Sequence, residues 1–363
     1  MTVEDGPRTD AAHAMKKTTT TVALALVALQ AACSTTGTEI GVEDSGGYKT
    51  MVSQREASNA KIKKDARSIP KIMQDFDRAI DKYFGAVSKL PDTRAKTLRD
   101  TLERILRQEA RRNFYLLLSM ADNQKQPADR GIALIAIGFA DATEEVLEKR
   151  TGTKAFHVTI KQKRVIVEAN KKYTRMALDT MITALNDEDD KIVENALLGL
   201  GILGHEGTPV REIGTLLEND KKPLSLRRNA SWALTVIQPK LTPLTRRAIR
   251  PILQRLLLEP LGAVDPTIAC PTLRSLGLFR NKADAKIVEP YCEHPEALVR
   301  VRAAIALGMI MNQDSFPILL GLIKPSETNL NVRLVARKSL KALAGGKDRG
   351  YDVKEWQKLF KRK

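Results

Sequence analysis

Segment 299–308 reads VRVRAAIALG. Its apolar residues follow a helical period, which continues into the turn after it. In a helix, Val299, Ala303, Ala306 and Ile310 fall on one narrow stripe, because they are spaced by four, three and four residues. The middle of this stripe is small, so a neighbouring helix can approach closely. We therefore predict a buried helix that packs tightly against similar helices.

The same frame of small and branched residues recurs along the chain. Positions equivalent to Gly308 lie at 138, 201, 235, 277, 308 and 341. One interval is 63 residues long, and the others lie between 31 and 42 residues. Repeats of roughly 30 to 47 residues with two helices each are typical of an α-solenoid. The sequence thus predicts an all-α fold of about six helical hairpins.

Residues 299–308 resemble the second helix of HEAT repeats, which reads roughly V-R-x-x-A-A-x-A-L-G, and Val332 and Arg333 begin a second good match. The resemblance covers about residues 125–345. It implies a right-handed α-solenoid of HEAT-like hairpins, which we place at residues 123–345.

Four arginines share one slot of the repeat frame: Arg130, Arg227, Arg300 and Arg333. The HEAT resemblance implies an internal ladder, in which these residues contact carboxylates or carbonyl groups between repeats. The arginines recur at the same interval as the core stripe, which is what stacked repeats need, and this favours the internal ladder. The alternative is a basic ladder that binds an anionic partner.

Helices outside the frame are expected to cap both ends of the solenoid. Residues 49–122 contain two apolar stripes, which are Ile72, Phe76, Ile80, Tyr83 and Val87, and then Leu98, Leu102, Ile105 and Leu106. They fit an N-terminal helical cap or, alternatively, helices that mediate self-association. Residues 346–363 predict a C-terminal capping helix with Trp356 in the core.

An irregular insertion at about residues 151–170 lies in the long interval of the repeat. Its alternating residues fit a short β-hairpin with a basic tip or a degenerate repeat helix. The basic residues are Lys161, Lys163 and Arg164. Because the repeat departs from its own pattern here, we consider the insertion a candidate partner-binding segment.

The N-terminus carries the pattern of an export signal. Met15 and two lysines precede a run from Thr18 to Ala32 without a charge, which is too short to span a membrane. The small residues before Cys33 resemble the lipobox of bacterial lipoproteins, although Gln30 stands where that family prefers an apolar residue. We therefore predict an extension and signal peptide in residues 1–32, with Met1 or Met15 as the start.

The lipobox resemblance implies a lipid anchor on Cys33, and residues 33–48 fit a flexible tether. By the same analogy, Ser34 indicates the outer membrane of a Gram-negative cell, with the protein facing the periplasm. The alternatives are an ordinary secretory signal and a cytosolic protein with an accidental apolar run.

The chain is strongly basic, with a net charge of +17 and a pI near 9.7. Its densest basic cluster within the repeats is Arg246, Arg247 and Arg250, which share a face of one predicted helix. Such a cluster attracts polyanions. No aromatic residues lie near it for base stacking, so a nucleic-acid partner is not expected.

Cys270 and Cys292 flank a predicted turn almost symmetrically. On two antiparallel helices they would face each other, and an exported protein folds where disulfides form. The sequence therefore leaves two alternatives for them, a disulfide or a pair of buried thiols.

The sequence contains no catalytic motif, no nucleotide-binding loop and no pair of histidines with metal-ligand spacing. We expect no enzyme, no cofactor and no metal site. The resulting hypothesis is a non-enzymatic scaffold or adaptor, lipid-anchored in the bacterial cell envelope, that binds a protein partner through the concave face of its solenoid. The alternative is a basic surface that binds a polyanion, such as a phosphate-bearing lipid, a glycan or nucleic acid. The oligomeric state stays open.

Overall fold

The computed structural model describes residues 67–89, 92–140 and 160–361. In these ranges the chain is all-α, with fifteen α-helices, short 3-10 helices and no strand. The predicted fold class is therefore confirmed. The described helices form two compact units, the first ending at residue 180 and the second beginning at residue 181.

Five helices belong wholly or largely to the first unit. They are α1 (Ile69–Val87), α2 (Thr93–Arg112), α3 (Phe114–Ala121), α4 (Pro127–Gly138) and α5 (Ile160–Ala184), which crosses the boundary at residue 180. The predicted stripe of α1 is buried along its whole length. In α2, Leu102 and Leu106 are buried but Leu98 and Ile105 are exposed, because the buried stripe continues through Ala95 and Ala110 instead.

Aromatic residues fill the core of the first unit. The rings of Tyr83 and Phe139 meet edge to face at 5.1 Å between centroids, and those of Phe114 and Tyr173 at 4.7 Å. Such pairs stabilise a core beyond the area that they bury. The role of this unit as a cap for the solenoid stays a prediction.

Ten helices follow in the second unit. They are α6 (Asp190–Leu203), α7 (Val210–Glu218), α8 (Leu224–Ile237), α9 (Pro243–Leu257), α10 (Pro266–Leu278), α11 (Ala285–Val288), α12 (Ala297–Ile310), α13 (Phe316–Leu322), α14 (Leu330–Leu343) and α15 (Val353–Lys361). Short 3-10 helices connect some of them, including Lys282–Asp284 and Glu289–Glu293.

The helices of the second unit stack in two layers. In one layer α6, α8, α10, α12 and α14 each pack against the next, and in the other α7 packs against α9 and α9 against α11. This arrangement is that of a helical solenoid. The predicted right-handedness of the stack stays a prediction.

The repeat frame explains why these helices pack so closely. Val299, Ala303 and Ala306 of α12 are fully buried, as the stripe predicts. A Cβ atom on Gly277 of α10 would lie 3.0 Å from the Cα atom of Ala306, so the two backbones nearly touch. The small middle of the stripe therefore sets the distance between neighbouring helices within this layer.

The second predicted helix of one hairpin is broken, and this changes the interpretation of the cysteines. Residues 282–293 form the 3-10 helix Lys282–Asp284, the single turn α11 and the 3-10 helix Glu289–Glu293. Cys292 therefore does not lie on a regular helix opposite Cys270. Of the two alternatives, the structure has the second: both residues are free, buried thiols.

The insertion at residues 151–170 is described only in part. From Ile160 onwards the backbone is helical, so the β-hairpin alternative is wrong for residues 160–167. The side chains of Lys161, Lys163 and Arg164, like residues 1–66 with the predicted signal peptide and Cys33, lie outside the described part of the structure.

Within the ranges that the structure describes, no helix is both long enough and apolar enough to cross a membrane.

Candidate partner-binding face

The predicted arginine ladder is used inside the protein. The Nε atom of Arg130 donates to the carbonyl oxygen of Ala121 at 2.9 Å, and that of Arg227 donates to Leu217 at 2.9 Å. Arg333 makes the same contact with Ile323 at 3.3 Å. Each acceptor lies at the C-terminal end of the preceding helix, where carbonyl groups lack helical partners. These three arginines are therefore used inside the protein, as the internal interpretation holds, but their contacts lie within one hairpin and not between repeats as predicted.

The fourth residue of the ladder, Arg300, is the one of the four that bridges two repeats. Its Nη1 atom donates to the carbonyl oxygens of His294 at 2.9 Å and Pro295 at 2.8 Å. Its Nε and Nη2 atoms donate to both carboxylate oxygens of Glu327, at 2.8 and 2.9 Å. Burial acts to raise the pKa of Glu327, but the hydrogen bonds from Arg300 and from the Asn329 N–H outweigh it, so this pKa lies below its usual value.

The predicted basic cluster on α9 is divided by internal contacts. Arg250 donates to both oxygens of Asp284, which is fully buried, at distances between 2.7 and 3.2 Å. These hydrogen bonds raise the pKa of Arg250, and Gln254 also donates to Asp284 at 2.7 Å. A buried carboxylate needs such partners, so Arg250 has a structural role.

The other two residues of the cluster lie closer to solvent. Arg246 is half-buried, and its Nη2 atom donates to the carbonyl oxygen of Leu278 at 2.8 Å. Its guanidinium group also lies over the ring of Phe279. Arg247 is exposed. The three arginines predicted to act together therefore do not form one free basic surface.

A different surface combines exposed leucines with lysines. It lies on α12 and α14, which pack against each other, and we call it the α12–α14 face. Its members project away from the core stripe: Leu298, Val301 and Ile305 of α12, and Leu330, Leu334, Lys338 and Lys341 of α14. Leu330 is 73% exposed, Leu334 40% and Leu298 37%.

The charge of the α12–α14 face has one sign. Neither α12 nor α14 contains an aspartate or a glutamate, whereas Lys338 and Lys341 are exposed. Arg337 lies at the edge, where it pairs with Asp348 at 2.9 Å and lies over the ring of Tyr351. The face therefore offers apolar area and positive charge together.

The sequence predicted that a protein partner binds the concave face of the solenoid but did not identify these residues. The available indication was that Leu330 and Leu334 lie outside the core frame, in a helix without acidic residues. That these exposed positions belong to two helices that pack against each other became visible only with the structure.

No protein-family model matches the chain, and no curated protein matches it. A solved structure, the complex of CpcE and CpcF of phycocyanin lyase from Nostoc sp. PCC7120, is similar with a TM-score of 0.40 and 20% sequence identity. The match covers 63% of this chain and 76% of the other.

This match overturns one prediction. We expected that the chain is not an enzyme, and that prediction is contradicted because the matched structure is that of a lyase. It is withdrawn. At a TM-score of 0.40 the similarity assigns no activity, substrate or partner to this chain.

Proposed function

We propose that this chain is a helical-repeat adaptor whose α12–α14 face binds an acidic amphipathic segment of a protein partner. The observation that carries the proposal is the pair of adjacent helices without a single carboxylate, on which three leucines are more than a third exposed.

The chemistry of the face specifies the partner. Burying a leucine side chain contributes about 1.5–3 kcal/mol, so three exposed leucines can supply much of the free energy of binding. Leu330 and Leu334 are one helical turn apart, the spacing at which a partner helix places its own apolar anchors. Lys338 and Lys341 then favour carboxylates at the rim and disfavour a basic partner.

The direct test uses a synthetic probe. We expect the full chain to bind a helical peptide of glutamate and leucine, measured by fluorescence anisotropy, and not its lysine–leucine counterpart. Leu334→Ala should weaken binding about tenfold, which corresponds to about 1.4 kcal/mol, and Lys338→Glu should weaken it about fivefold. Both residues are exposed, so the fold should tolerate the changes.

Matched variants elsewhere control for general effects. Leu258→Ala removes another exposed leucine and Lys221→Glu reverses another exposed lysine, and neither should change the affinity. Equal binding of both peptides would contradict the proposal. A dimer of the native chain that dissociates in Leu334→Ala would also contradict the proposal, because a second copy of the chain would then occupy the face.

We also propose that the adaptor is exported and anchored by a lipid on Cys33 in the outer membrane, facing the periplasm. The support is the run from Met15 to Ser34. Metabolic labelling with a fatty-acid analogue should mark the native chain but not Cys33→Ala, and Ser34→Asp should move the protein to the inner-membrane fraction. An unlabelled protein in the cytosolic fraction would contradict this part of the proposal alone.

A further inference from the structure

A cavity lies between the start of α9 and the end of α10. Its volume is about 550 Å³, within the range of sites that bind small molecules. Three arginines line it, Arg246, Arg247 and Arg280, together with apolar residues that include Leu241, Leu278 and Phe279. No acidic side chain is among the lining residues, so the three positive charges are not neutralised within the cavity.

Arg280 occupies a position that favours glycine. Its φ angle is 53°, in the left-handed region, just after the end of α10. The equivalent residues after α6 and α12 are Gly204 with φ 57° and Met311 with φ 61°. Helices commonly end with a glycine in this conformation because a side chain strains it. An arginine at this position makes the fold less stable than a glycine would, and the side chain of Arg280 lines the cavity.

Arg246 also lines the cavity, and its guanidinium group is held from the protein side. Its Nη2 atom donates to the carbonyl oxygen of Leu278, but its Nε atom is buried and has no hydrogen-bond partner among the described residues. A buried N–H group without an acceptor is costly. The hydrogen bond to Leu278 and the contact with the ring of Phe279 hold the guanidinium group in place, so an anion in the cavity would meet a pre-oriented cation.

We infer that this cavity binds a small organic anion that joins a carboxylate or phosphate group to an apolar part. The arginines bind the charged group, and Leu241, Leu278 and Phe279 contact the apolar part. The apolar lining distinguishes this ligand class from inorganic anions, which gain nothing from it. The cavity lies on α9 and α10, so the inference does not depend on the proposed partner-binding face of α12 and α14.

The test compares four probes by isothermal titration calorimetry on the full chain: phenyl phosphate, octanoate, inorganic phosphate and octylammonium. We expect phenyl phosphate or octanoate to bind at least tenfold more tightly than inorganic phosphate, and octylammonium not to bind. Equal binding of phenyl phosphate, octanoate and inorganic phosphate would overturn the inference, since it would reflect charge attraction alone. Absence of binding by both organic anions would also overturn it.

Arg280→Gly and Met311→Gly form a matched pair. Both variants relieve the same backbone strain, so both should raise the Tm of the ligand-free chain. Within this pair, only Arg280→Gly should weaken binding of the organic anion, by at least tenfold. Arg247→Ala should also weaken binding of the anion, without changing the Tm. Unchanged affinity in Arg280→Gly would show that the cavity is not the binding site.

Discussion

At the scale of single residues, the two buried cysteines allow a direct test of the packing. Burial raises the pKa of Cys270 to about 12 and that of Cys292 to about 12. Each thiol is therefore neutral in the folded protein well above the pH at which an unfolded cysteine ionises. We expect a thiol reagent at pH 8 to modify neither residue until the protein unfolds.

The same shifts predict how stability depends on pH. Between about pH 9 and pH 12 the unfolded state releases these protons and the folded state retains them, so the free energy of unfolding falls as the pH rises. Each thiol contributes up to about 1.4 kcal/mol per pH unit in this window. Urea titrations of the native chain and of Cys270→Ala should show a shallower decline in the variant. A fast-reacting native thiol, measured with Cys33→Ser present, would contradict both expectations.

Some residue contacts follow from the sequence and others do not. The buried stripe of Val299, Ala303 and Ala306 was predictable, because helical spacing determines which side chains share a face. The partners of the ladder arginines were not, since spacing places Arg300 in its slot but says nothing of Glu327, which lies 27 residues later in the chain. Arg250 was misjudged for the same reason, because Asp284 lies 34 residues away.

At the scale of helices, the contact between α10 and α12 depends on Gly277. We expect Gly277→Ala to lower the free energy of unfolding by about 1–3 kcal/mol, because the new Cβ meets the backbone of Ala306, which cannot move aside as a flexible side chain can. The measurement is urea unfolding followed by circular dichroism.

Gly321→Ala is the matched control for this prediction. Gly321 lies in α13, and a Cβ atom there would meet nothing within 4 Å. The substitution should be neutral or stabilise the protein by up to about 1 kcal/mol, since alanine favours helices. If both variants lost the same stability, close approach would not be the cause.

The helices of the second unit were predictable where the frame is regular, as in α12 and α14. The break at residues 282–293 was not, because a short segment of mixed apolar and charged residues with Pro290 fits a helix as well as linked 3-10 turns. The surrounding packing decides between them. The disulfide alternative assumed a regular helix here, and the break removes that assumption.

At the scale of the second unit, stability should vary along the stack. Helix α15 covers the end of the repeats: Trp356 is fully buried, its Nε1 atom donates to the carbonyl oxygen of Gly350 at 3.0 Å, and Phe360 stacks on Phe316. Solenoid repeats contact mainly their neighbours, so damage at one end should stay local.

We therefore expect Trp356→Ala, which removes a buried side chain worth about 3–5 kcal/mol, to increase amide hydrogen exchange in α13 and α14. The amides of α6 and α8 should keep their protection. Lys354→Ala, an exposed position in the same helix, is the control. A uniform loss of protection from α6 to α14 would show that the unit unfolds as a whole.

The solenoid fold could be inferred from the sequence because the same helical stripe recurs in several segments, and together these segments indicate a repeat that no single one would show. The α12–α14 face and the arginine cavity could not, since they depend on which exposed residues of neighbouring helices lie together. Arg280 shows this clearly: the repeat frame aligns it with Gly204, but nothing along the chain indicates that its side chain lines a cavity.

The arginine contacts at the helix ends have a consequence for how such a chain can change in length. Arg130, Arg227 and Arg333 each find their acceptor within their own hairpin. If such a hairpin were duplicated or deleted, its arginine and the carbonyl group that accepts from it would be duplicated or deleted together, and no contact of this kind would be broken. Arg300 is different, because Glu327 belongs to the following hairpin. Arg250 of α9 pairs in the same way with Asp284 of the hairpin that follows it, so the last three hairpins are tied in sequence and an insertion between any two of them would break such a contact.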